Sequence, residues 1–391
     1  MDRIVITGYG IKAPGALTKH DFHSVLKNGI CTQSVLKSNN DTHSSVIAGI
    51  IEDEFTIINE KNYKRYPRST RLALAAADDA VSMAQLSCDP YKVAVIMGTS
   101  AGAILEIEQY ASVALDLKKY PIHGVSIVDT HTLSSAVSAH IGLRGPAFTL
   151  TTGCTASLDA VVLAKLLLES GQVNACIIGG TDAPLGQWSI NGFIKTRAIT
   201  SNVSIEQTGV PFSTDHQGFV LSEGAGVLIL EREKDALKQG KKIYGSVDSV
   251  LSRNEGTPIL KTDESGQEML SLYKEVIRDK VPSYVNSQSL GLQTNDRIEG
   301  YIHRELFTNS VPITSIKGMT GHSFAAMGAV QIISALISIE YGFIPPTIKT
   351  SGNGYEDLPI VYKTRYQPIE SVSITTHGNS GNNACIVIGK P

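Results

Sequence analysis

One cysteine lies at a point in the sequence where it could act as a nucleophile. In FTLTTGCTASLDAVVLAKLLLES, the run from Phe148 to Thr151 predicts a buried strand, Gly153 predicts a turn, and a helix is expected to begin almost at Cys154. Free backbone N–H groups and the positive end of a helix dipole favour a thiolate there. The same N–H groups can hold the oxyanion of a thioester carbonyl. The segment therefore predicts a nucleophilic cysteine.

The remaining cysteines show no sign of a metal site or a disulfide framework. The chain has five cysteines, an odd number, at wide spacing and without a CxxC pair. This usage suits a reducing compartment, so we expect a cytoplasmic protein without a bound metal. A cysteine in an apolar setting is usually a small core residue. We interpret Cys31, Cys88, Cys176 and Cys385 in this way.

A lysine and a histidine precede a second predicted helix that is rich in small side chains. In SIKGMTGHSFAAMGAV, a strand end gives Lys317, and a loop bracketed by Gly318 and Gly321 gives His322. The glycines would let the backbone pass close to a ligand, and the lysine would raise the local positive potential. We expect both polar residues to act in a site. The alternative for His322 is a helix-capping or surface residue.

A turn rich in glycine and asparagine separates two strand-like runs near the C-terminus. In ITTHGNSGNNACIVIG it contains Gly378, Asn379 and Ser380. Such a turn could present main-chain N–H groups to a carbonyl oxygen, and a plain hairpin loop explains it almost equally well. For His377, a solvated or hydrogen-bonding role is favoured over a second catalytic imidazole.

Bulk composition excludes several functional classes. The 391 residues carry a net charge of −3 and a pI near 6.4, which offers no broad basic field for nucleic acid. The chain is 42% hydrophobic and 18% charged, as expected of a globular protein. The N-terminus enters a strand-like run directly, and no apolar stretch of about 18 residues is evident. Neither secretion nor a membrane span is therefore predicted.

Short β-branched runs alternate with helix-like segments along both parts of the chain. RIVITG, KVAVIMGTS, FTLTTG and ACIIGGTD follow this rhythm, which indicates βαβ units. After GVLILE, the polar stretch REKDALKQGKK leads into a second series of the same kind. We predict two similar α/β halves. Residues 1–235 would carry the nucleophile, and residues 236–391 would carry the loops with Gln288 and His322.

Together these segments resemble the beta-ketoacyl-ACP synthases of the thiolase superfamily, the elongating type with a Cys, His, His site. The resemblance runs along the whole chain through RIVITGYG, TTGCTAS, GGTDAPLG, PFSTDHQGFVLSEGAGVLILE and SIKGMTGH. It implies a five-layered αβαβα fold made of two like halves, and a homodimer or a heterodimer with another ketosynthase. It also implies an acyl carrier protein that delivers the acyl group on its phosphopantetheine, with no further cofactor.

The resemblance assigns a role to each catalytic candidate and exposes one departure. Cys154 matches the nucleophile, while Lys317 and His322 match the lysine and the second histidine. The first histidine belongs to an HGTGT-like loop, whose place here is QSLGL, just before NDRIE. Gln288 therefore stands in place of that histidine.

Further departures affect the walls of the predicted site. Leu290 and Leu292 replace two threonines that hold the pantetheine arm in the family, which makes the extender side more apolar. His377 and Asn379 stand at phenylalanine positions of the family, the second of which gates the acyl pocket. We expect substrate contacts from Leu290, Leu292, His377, Gly378, Asn379 and Ser380.

The glutamine at position 288 decides which chemistry the sequence predicts. Its NH₂ group can polarise an oxyanion, but it cannot transfer a proton near neutral pH as an imidazole does. Losing one oxyanion donor typically costs about 3 to 4 kcal/mol, and in the family the first histidine serves malonyl decarboxylation. Our first hypothesis is a ketosynthase-like acyltransferase of fatty-acid or polyketide biosynthesis. It would pass an acyl group from Cys154 to an acceptor unlike malonyl.

Two other functions stay open on the sequence alone. One is a partner subunit similar to chain-length factors, although these usually lack the nucleophilic cysteine. The other is ordinary decarboxylating condensation with Gln288 in place of histidine. The segment KNYKRYPRSTR, Lys61 to Arg71, forms a local basic patch that could dock an acidic carrier protein. The alternative is that these charges belong to a solvated loop and the start of a helix.

Overall fold

The computed structural model describes residues 2–37, 45–52, 65–258, 261–278, 280–308, 310–378 and 380–391. Its strands are β1 (Ile4–Lys12), β2 (Ser34–Lys37), β3 (Ser45–Gly49), β4 (Val93–Gly98), β5 (Ala147–Leu150), β6 (Ala175–Asp182), β7 (Leu221–Ser222), β8 (Gly224–Arg232), β9 (Gly245–Asn254), β10 (Tyr284–Asn286), β11 (Ile313–Thr314), β12 (Phe343–Ile344), β13 (Arg365–Tyr366), β14 (Ser371–His377) and β15 (Asn382–Gly389). Its helices are α1 (Lys19–Asn28), α2 (Arg68–Ala84), α3 (Ile104–Tyr110), α4 (Gly124–Val128), α5 (Thr132–Ile141), α6 (Ala156–Glu169), α7 (Gln187–Lys195), α8 (Glu233–Lys238), α9 (Gln267–Ile277), α10 (Gln293–Phe307), α11 (Lys317–Thr320) and α12 (Met327–Tyr341).

The large sheet consists of two halves with the same strand order. Within the described ranges, ten strands follow the order β11-β10-β14-β15-β9-β1-β8-β6-β4-β5. Each half contributes five strands to this sheet. Followed from the outer edge inwards, they are the third, second, fourth, fifth and first of those five along the chain. The third, second and fourth strands pair in parallel, and the fifth pairs antiparallel with the fourth and the first. An antiparallel pairing of β1 with β9 joins the halves, which confirms the predicted α/β fold with two similar halves.

Helices pack on the outer faces of the half-sheets and between them. Helices α2 and α5 cover the first half, and α9 and α10 cover the second. Helices α6 and α12 lie in the middle, where each contacts strands of both halves. Successive residues of β4 alternate between the two sides, since Ile96 joins the middle core and Val95 the outer one. These layers are the predicted αβαβα arrangement.

The two middle helices bring the candidate catalytic segments together. Helix α6 follows β5, the third strand of the first half, and α11 and α12 follow β11, the third strand of the second half. Cys154 precedes α6, while Lys317 and His322 precede α12, so they occupy corresponding places in the two halves. The boundary at residue 235 stays a prediction.

One buried helical window has the length and composition of a membrane span. Phe324–Tyr341 covers 18 residues with a mean hydropathy of 1.5, and 83% of it is buried inside the fold. No apolar stretch of this length was predicted, and the window does contain the polar residues Gln331, Ser334 and Ser338. These polar side chains are buried among the strands of both halves, so the window forms a helix of the protein core.

Close packing beneath α12 leaves no room for a side chain at Gly180 of β6. A Cβ atom there would lie 2.2 Å from the carbonyl oxygen of Ala325, in the turn that leads from His322 into α12. Gly180→Ala should therefore lower the free energy of unfolding by about 1–3 kcal/mol, measured by urea denaturation. Gly192→Ala in α7 is the matched control, since no atom lies within 4 Å of its Cβ. An unchanged midpoint for Gly180→Ala would contradict this packing.

Candidate active site

The nucleophile candidate lies in a short helical turn directly before α6, as the sequence predicts. Gly153–Thr155 form one 3₁₀ turn, and Gly153 has a φ of +73°, a conformation that favours glycine. The hydroxyl of Thr155 donates to Asp159 Oδ2 at 2.8 Å and fixes the turn on the helix. The C-terminal loop packs against it, because a Cβ at Gly378 would lie 3.3 Å from the Cys154 nitrogen.

His322 is the polar partner of the cysteine. Its Nε2 lies 3.2 Å from Cys154 Sγ, within hydrogen-bond reach of a thiol. The backbone fixes the residue, since His322 N donates to Val220 O at 2.8 Å and Ser222 N donates to His322 O at 3.0 Å. The ring is also packed against Phe324, with centroids 5.1 Å apart. The structure thus brings together two residues that are 168 positions apart in the sequence.

The electrostatic environment favours a neutral thiol and a neutral imidazole at rest. Burial and, to a smaller extent, the charge of Asp182 raise the pKa of Cys154 to about 12, while Lys317 opposes this shift. Burial likewise holds the pKa of His322 well below its ordinary value, and Lys317 and His377 add to this effect. The helix start alone was expected to favour the thiolate, but burial outweighs it. His322 Nε2 is the nearest polar partner placed to accept the thiol proton of Cys154.

Lys317 points into the protein interior. Its Nζ donates to the carbonyl oxygen of Ser287 at 2.8 Å, so it supports the strand end that leads into the QSLGL loop. Burial lowers the pKa of Lys317 to about 7, while Glu299, Asp296 and Cys154 oppose this shift. Lys317 is 1% exposed, and its charge acts on the pKa values of Cys154 and His322.

Gln288 lies in the same cavity, but its side chain is anchored to the backbone of the neighbouring loop. Its backbone N–H donates to Thr375 Oγ1 at 3.0 Å and to Glu299 Oε2 at 3.2 Å. The side-chain Nε2 donates to His377 O at 3.3 Å. The carbonyl Oε1 is buried and has no hydrogen-bond partner among the described residues. Gln288 thus retains one unpaired hydrogen-bond acceptor.

The two leucines of the QSLGL loop form part of the apolar wall. Leu290 N donates to Asp296 Oδ1 at 2.9 Å, and Gly291 adopts a φ of +90° between the two side chains. The cavity next to Cys154 has a volume of about 80 Å³. It is lined by Cys154, Phe193, Ala198, Phe219, Thr262, Gln288, Leu290, Leu292, Asn295, Ile298, His322, Phe324, His377 and Gly378.

His377 is a buried member of this lining. Asn295 Nδ2 lies 3.1 Å from its Nδ1, and Glu299 Oε1 lies 3.4 Å from its Nε2. A solvated position is therefore wrong, and the hydrogen-bonding role that was also expected fits the contacts. Gly378 is among the residues that line the described cavity, and Ser380 is not. Asn379 lies outside the described residues.

Sequence reasoning missed three buried carboxylates that order the site. Glu299 accepts hydrogen bonds from Ser287 Oγ at 2.5 Å and Thr375 Oγ1 at 2.9 Å. Burial opposes its charge, but the contact with His377 and these hydroxyls hold the pKa of Glu299 below the usual value. NDRIE, used only to align the loop, was the available signal for Glu299. Asp296 and Asp182 are the other two.

Asp182 ties the two halves together behind the cysteine. Its carboxylate accepts from Thr99 Oγ1 and Ala101 N at 2.8 Å, and from Ala325 N at 2.9 Å. Burial raises the pKa of Asp182 to about 6, although these hydrogen bonds oppose the shift. Asp182 belongs to the motif GGTD, but its contact with Ala325 could not be predicted from the sequence because the two residues are 143 positions apart.

Comparison with known proteins identifies the family. Residues 1–236 match the family model described as the N-terminal domain of beta-ketoacyl synthase, and residues 244–351 match the C-terminal domain. The chain belongs to the beta-ketoacyl synthase family. The match to both family models agrees with the resemblance found in the motifs around Cys154 and His322.

Relatives of this beta-ketoacyl synthase chain align over almost its whole length. The tetracenomycin polyketide synthase ketoacyl synthase alpha subunit of Streptomyces glaucescens is 28% identical, covering 100% of this chain and 97% of the relative. The 3-oxoacyl-[acyl-carrier-protein] synthase 2 of Synechocystis sp. is 26% identical, covering 99% and 98%.

Solved structures of similar proteins share the fold. One is a complex of a type II PKS acyl-carrier protein with its ketosynthase bound to the hexaketide. The matched chain has a TM-score of 0.90 and 24% identity, with 100% of both chains covered. The ishigamide ketosynthase/chain length factor has a TM-score of 0.89 and 22% identity, covering 100% of this chain and 99% of the other.

The pH dependence of alkylation tests the neutral resting pair. Only the thiolate reacts with iodoacetamide, and a thiol with a pKa of about 12 gains thiolate throughout the range below it. The alkylation rate of Cys154 should therefore rise about tenfold per unit between about pH 7 and pH 10. Mass spectrometry of digested protein gives the rate, with the fully buried Cys176 and Cys385 as internal markers of unfolding. A plateau already reached near neutral pH would show that Cys154 rests as a thiolate.

Proposed function

We propose that this beta-ketoacyl synthase family member is an acyltransferase that carries an acyl group on Cys154. The observation that carries the proposal is the contact of 3.2 Å between Cys154 Sγ and His322 Nε2. As the sulfur attacks a thioester, the thiol proton moves to the neutral imidazole, and the acyl group becomes bound to Cys154. The leaving thiol then takes the proton from His322. This sequence needs no charge in the resting site.

The acyl donor in this proposal is an acyl carrier protein. The support comes from the names of similar proteins, one a 3-oxoacyl-[acyl-carrier-protein] synthase and one a ketosynthase in complex with its carrier protein. The basic patch expected at Lys61–Arg71 is less available than its composition indicates. Residues 61–64 lie outside the described residues, and Arg68 Nη2 donates to the buried Glu223 at 2.7 Å. Arg65 is the exposed cation of the described part.

Ordinary condensation is not the activity that the site favours. The family's first histidine is tied to malonyl decarboxylation, and a glutamine cannot replace its proton transfer. One of the two N–H groups on Gln288 Nε2 donates to His377 O at 3.3 Å, so the amide is turned towards the backbone of the neighbouring loop. Leu290 and Leu292 add apolar surface to the cavity, which makes burial of a malonyl carboxylate there costly. We therefore assign the acyl group to another acceptor.

A second subunit is also part of the proposal. Strand β5 ends the sheet, and Phe148 on it is 40% exposed. The opposite edge differs, because the segment around Ile360 covers β11. Large apolar side chains lie exposed in the segments between β4 and β5, namely Leu115, Leu117, Ile122 and Val125. An open edge beside apolar side chains suits another subunit, either a second copy or another ketosynthase.

An acyl adduct on Cys154 is the direct test of the proposed function. We expect intact mass spectrometry to show the mass of the acyl group on the chain after incubation with a carrier protein charged with a medium-chain acyl group. Cys154→Ala should abolish the adduct, because no other cysteine lines the described cavity. His322→Ala should slow its formation by roughly 100-fold, the usual contribution of a general base.

Absence of the adduct with a competent charged carrier would overturn the acyltransferase proposal. In that case the chain would fit a partner subunit, the function that the altered QSLGL loop alone suggests. Retention of the Cys154–His322 pair argues against this alternative.

Loss of the apolar contact at the sheet edge should separate the subunits. Phe148→Glu places a charge on β5, so light scattering after gel filtration should show a shift from dimer towards monomer. Leu237→Glu on α8 is the matched control, because that leucine is 61% exposed and remote from β5. Equal dimer content in both variants would show that β5 is not in the interface.

A further inference from the structure

The amide of Gln288 has one defined orientation. Its Nε2 lies 3.3 Å from the carbonyl oxygen of His377. The reversed amide would place Oε1 against that oxygen, and two hydrogen-bond acceptors repel each other. The hydrogen bond therefore fixes Nε2 towards the backbone and leaves Oε1 as the other end of the amide.

The remaining oxygen is an unpaired acceptor on a residue that lines the catalytic cavity. Gln288 is 1% exposed and lines the cavity with Cys154 and His322, and its Oε1 has no partner among the described residues. A buried carbonyl without a hydrogen-bond donor is costly, so a bound ligand that supplies an N–H or O–H group would be favoured. A carboxylate or an enolate oxygen at this place would be repelled.

The number of protons on the attacking atom separates the possible acceptors. The attacking group must release one proton to His322, which has its neutral Nε2 directed at the Cys154 sulfur. A hydroxyl has a single proton, so it cannot also keep a hydrogen bond to Gln288 Oε1 during transfer. A primary amine has two protons, so one can move to His322 while the other remains on Gln288.

The charge of the surroundings selects the free base of such an amine. Lys317 is buried next to Ser287, and burial lowers its pKa to about 7 although Glu299 and Asp296 oppose the shift, so enclosure disfavours a charged amine here. The cavity walls of Leu290, Leu292 and Phe219 are apolar and favour a hydrocarbon body. An ammonium ion would thus be excluded, whereas the neutral amine, the only nucleophilic form, would be admitted.

We propose that the acyl acceptor is a primary amine with an apolar body, bound through an N–H group to Gln288 Oε1. This rests on the proposed acylation of Cys154. The nitrogen lone pair forms the C–N bond, and the carbonyl electron pair moves onto oxygen. One amine proton passes to His322. The C=O bond then re-forms, the C–S bond breaks, and the sulfur takes the proton from His322, which leaves an amide and the free thiol.

Gln288 Oε1 assists this step because positive charge develops on the nitrogen as it attacks. A carbonyl oxygen directed at that N–H group is a stronger acceptor for it in the transition state than in the bound amine. Gln288 is therefore a specificity-determining residue for the acceptor. The histidine that the family resemblance places at this position would supply a hydrogen-bond donor, whereas Gln288 supplies an acceptor.

Matched small acceptors provide the test. The Cys154 acyl adduct is isolated and mixed with butylamine, its isomer N-methylpropylamine or 1-butanol, and loss of the adduct and appearance of product are followed by mass spectrometry. We expect butylamide as the main product, with slower transfer to N-methylpropylamine, which has one N–H group as the free base. The rate with butylamine should rise with pH as the free base accumulates.

Two variants separate recognition from folding. Gln288→Met keeps the length of the side chain without the acceptor, and should lower transfer to butylamine relative to 1-butanol by roughly 10- to 100-fold. Gln331→Met removes another buried amide whose Oε1 is unpaired but which does not line the cavity, so this ratio should stay as in the wild type.

The outcomes distinguish the two proposals. Failure of any adduct to form on Cys154 would overturn the proposed function and this inference with it. An adduct that forms but is released only by water, or as readily by 1-butanol as by butylamine, would overturn the amine acceptor alone. The same conclusion would follow if Gln288→Met left the preference for butylamine over 1-butanol unchanged.

Discussion

The packing of α6 and α12 between two half-sheets is the constraint on which the site depends. Both helices are enclosed by strands of both halves, so their N-terminal turns must meet at one end of the middle layer. The carboxylate of Asp182 locks this arrangement by accepting from Ala101 N and Ala325 N at 2.8 and 2.9 Å. The contact between Cys154 and His322 follows from this packing, since neither residue is near the other in sequence.

Enclosure also sets the chemistry of the pair. Burial raises the pKa of Cys154 and lowers that of His322, so the resting pair is a thiol and a neutral imidazole, and the proposed acylation moves the proton during attack. The same enclosure makes every unpaired polar atom significant. Gln288 of the QSLGL loop donates from Nε2 to the backbone of His377 and keeps an unpaired Oε1, and the proposed amine acceptor rests on that oxygen.

Local sequence signals were sufficient for the elements and for part of the site. The strand, turn and helix around Cys154 were predictable because each has a local pattern, and the motif order indicated the family and its two halves. The burial of His377 was not predictable, because it depends on Asn295 and Glu299 from another segment. Nor could the pattern show that burial outweighs the helix start at Cys154, or that Arg68 is bound to Glu223. Those effects arise from contacts between distant parts of the chain.

Carbon dioxide release from malonyl carrier protein tests most directly whether the QSLGL loop has moved this chain away from condensation. We predict slow release by the wild-type protein, even where Cys154 becomes acylated, and faster release by Gln288→His, which puts an imidazole into the QSLGL loop. The two rates are compared at equal Cys154 acylation. A high rate in the wild type that Gln288→His leaves unchanged would contradict the account, because Gln288 would then support decarboxylation as well as histidine does.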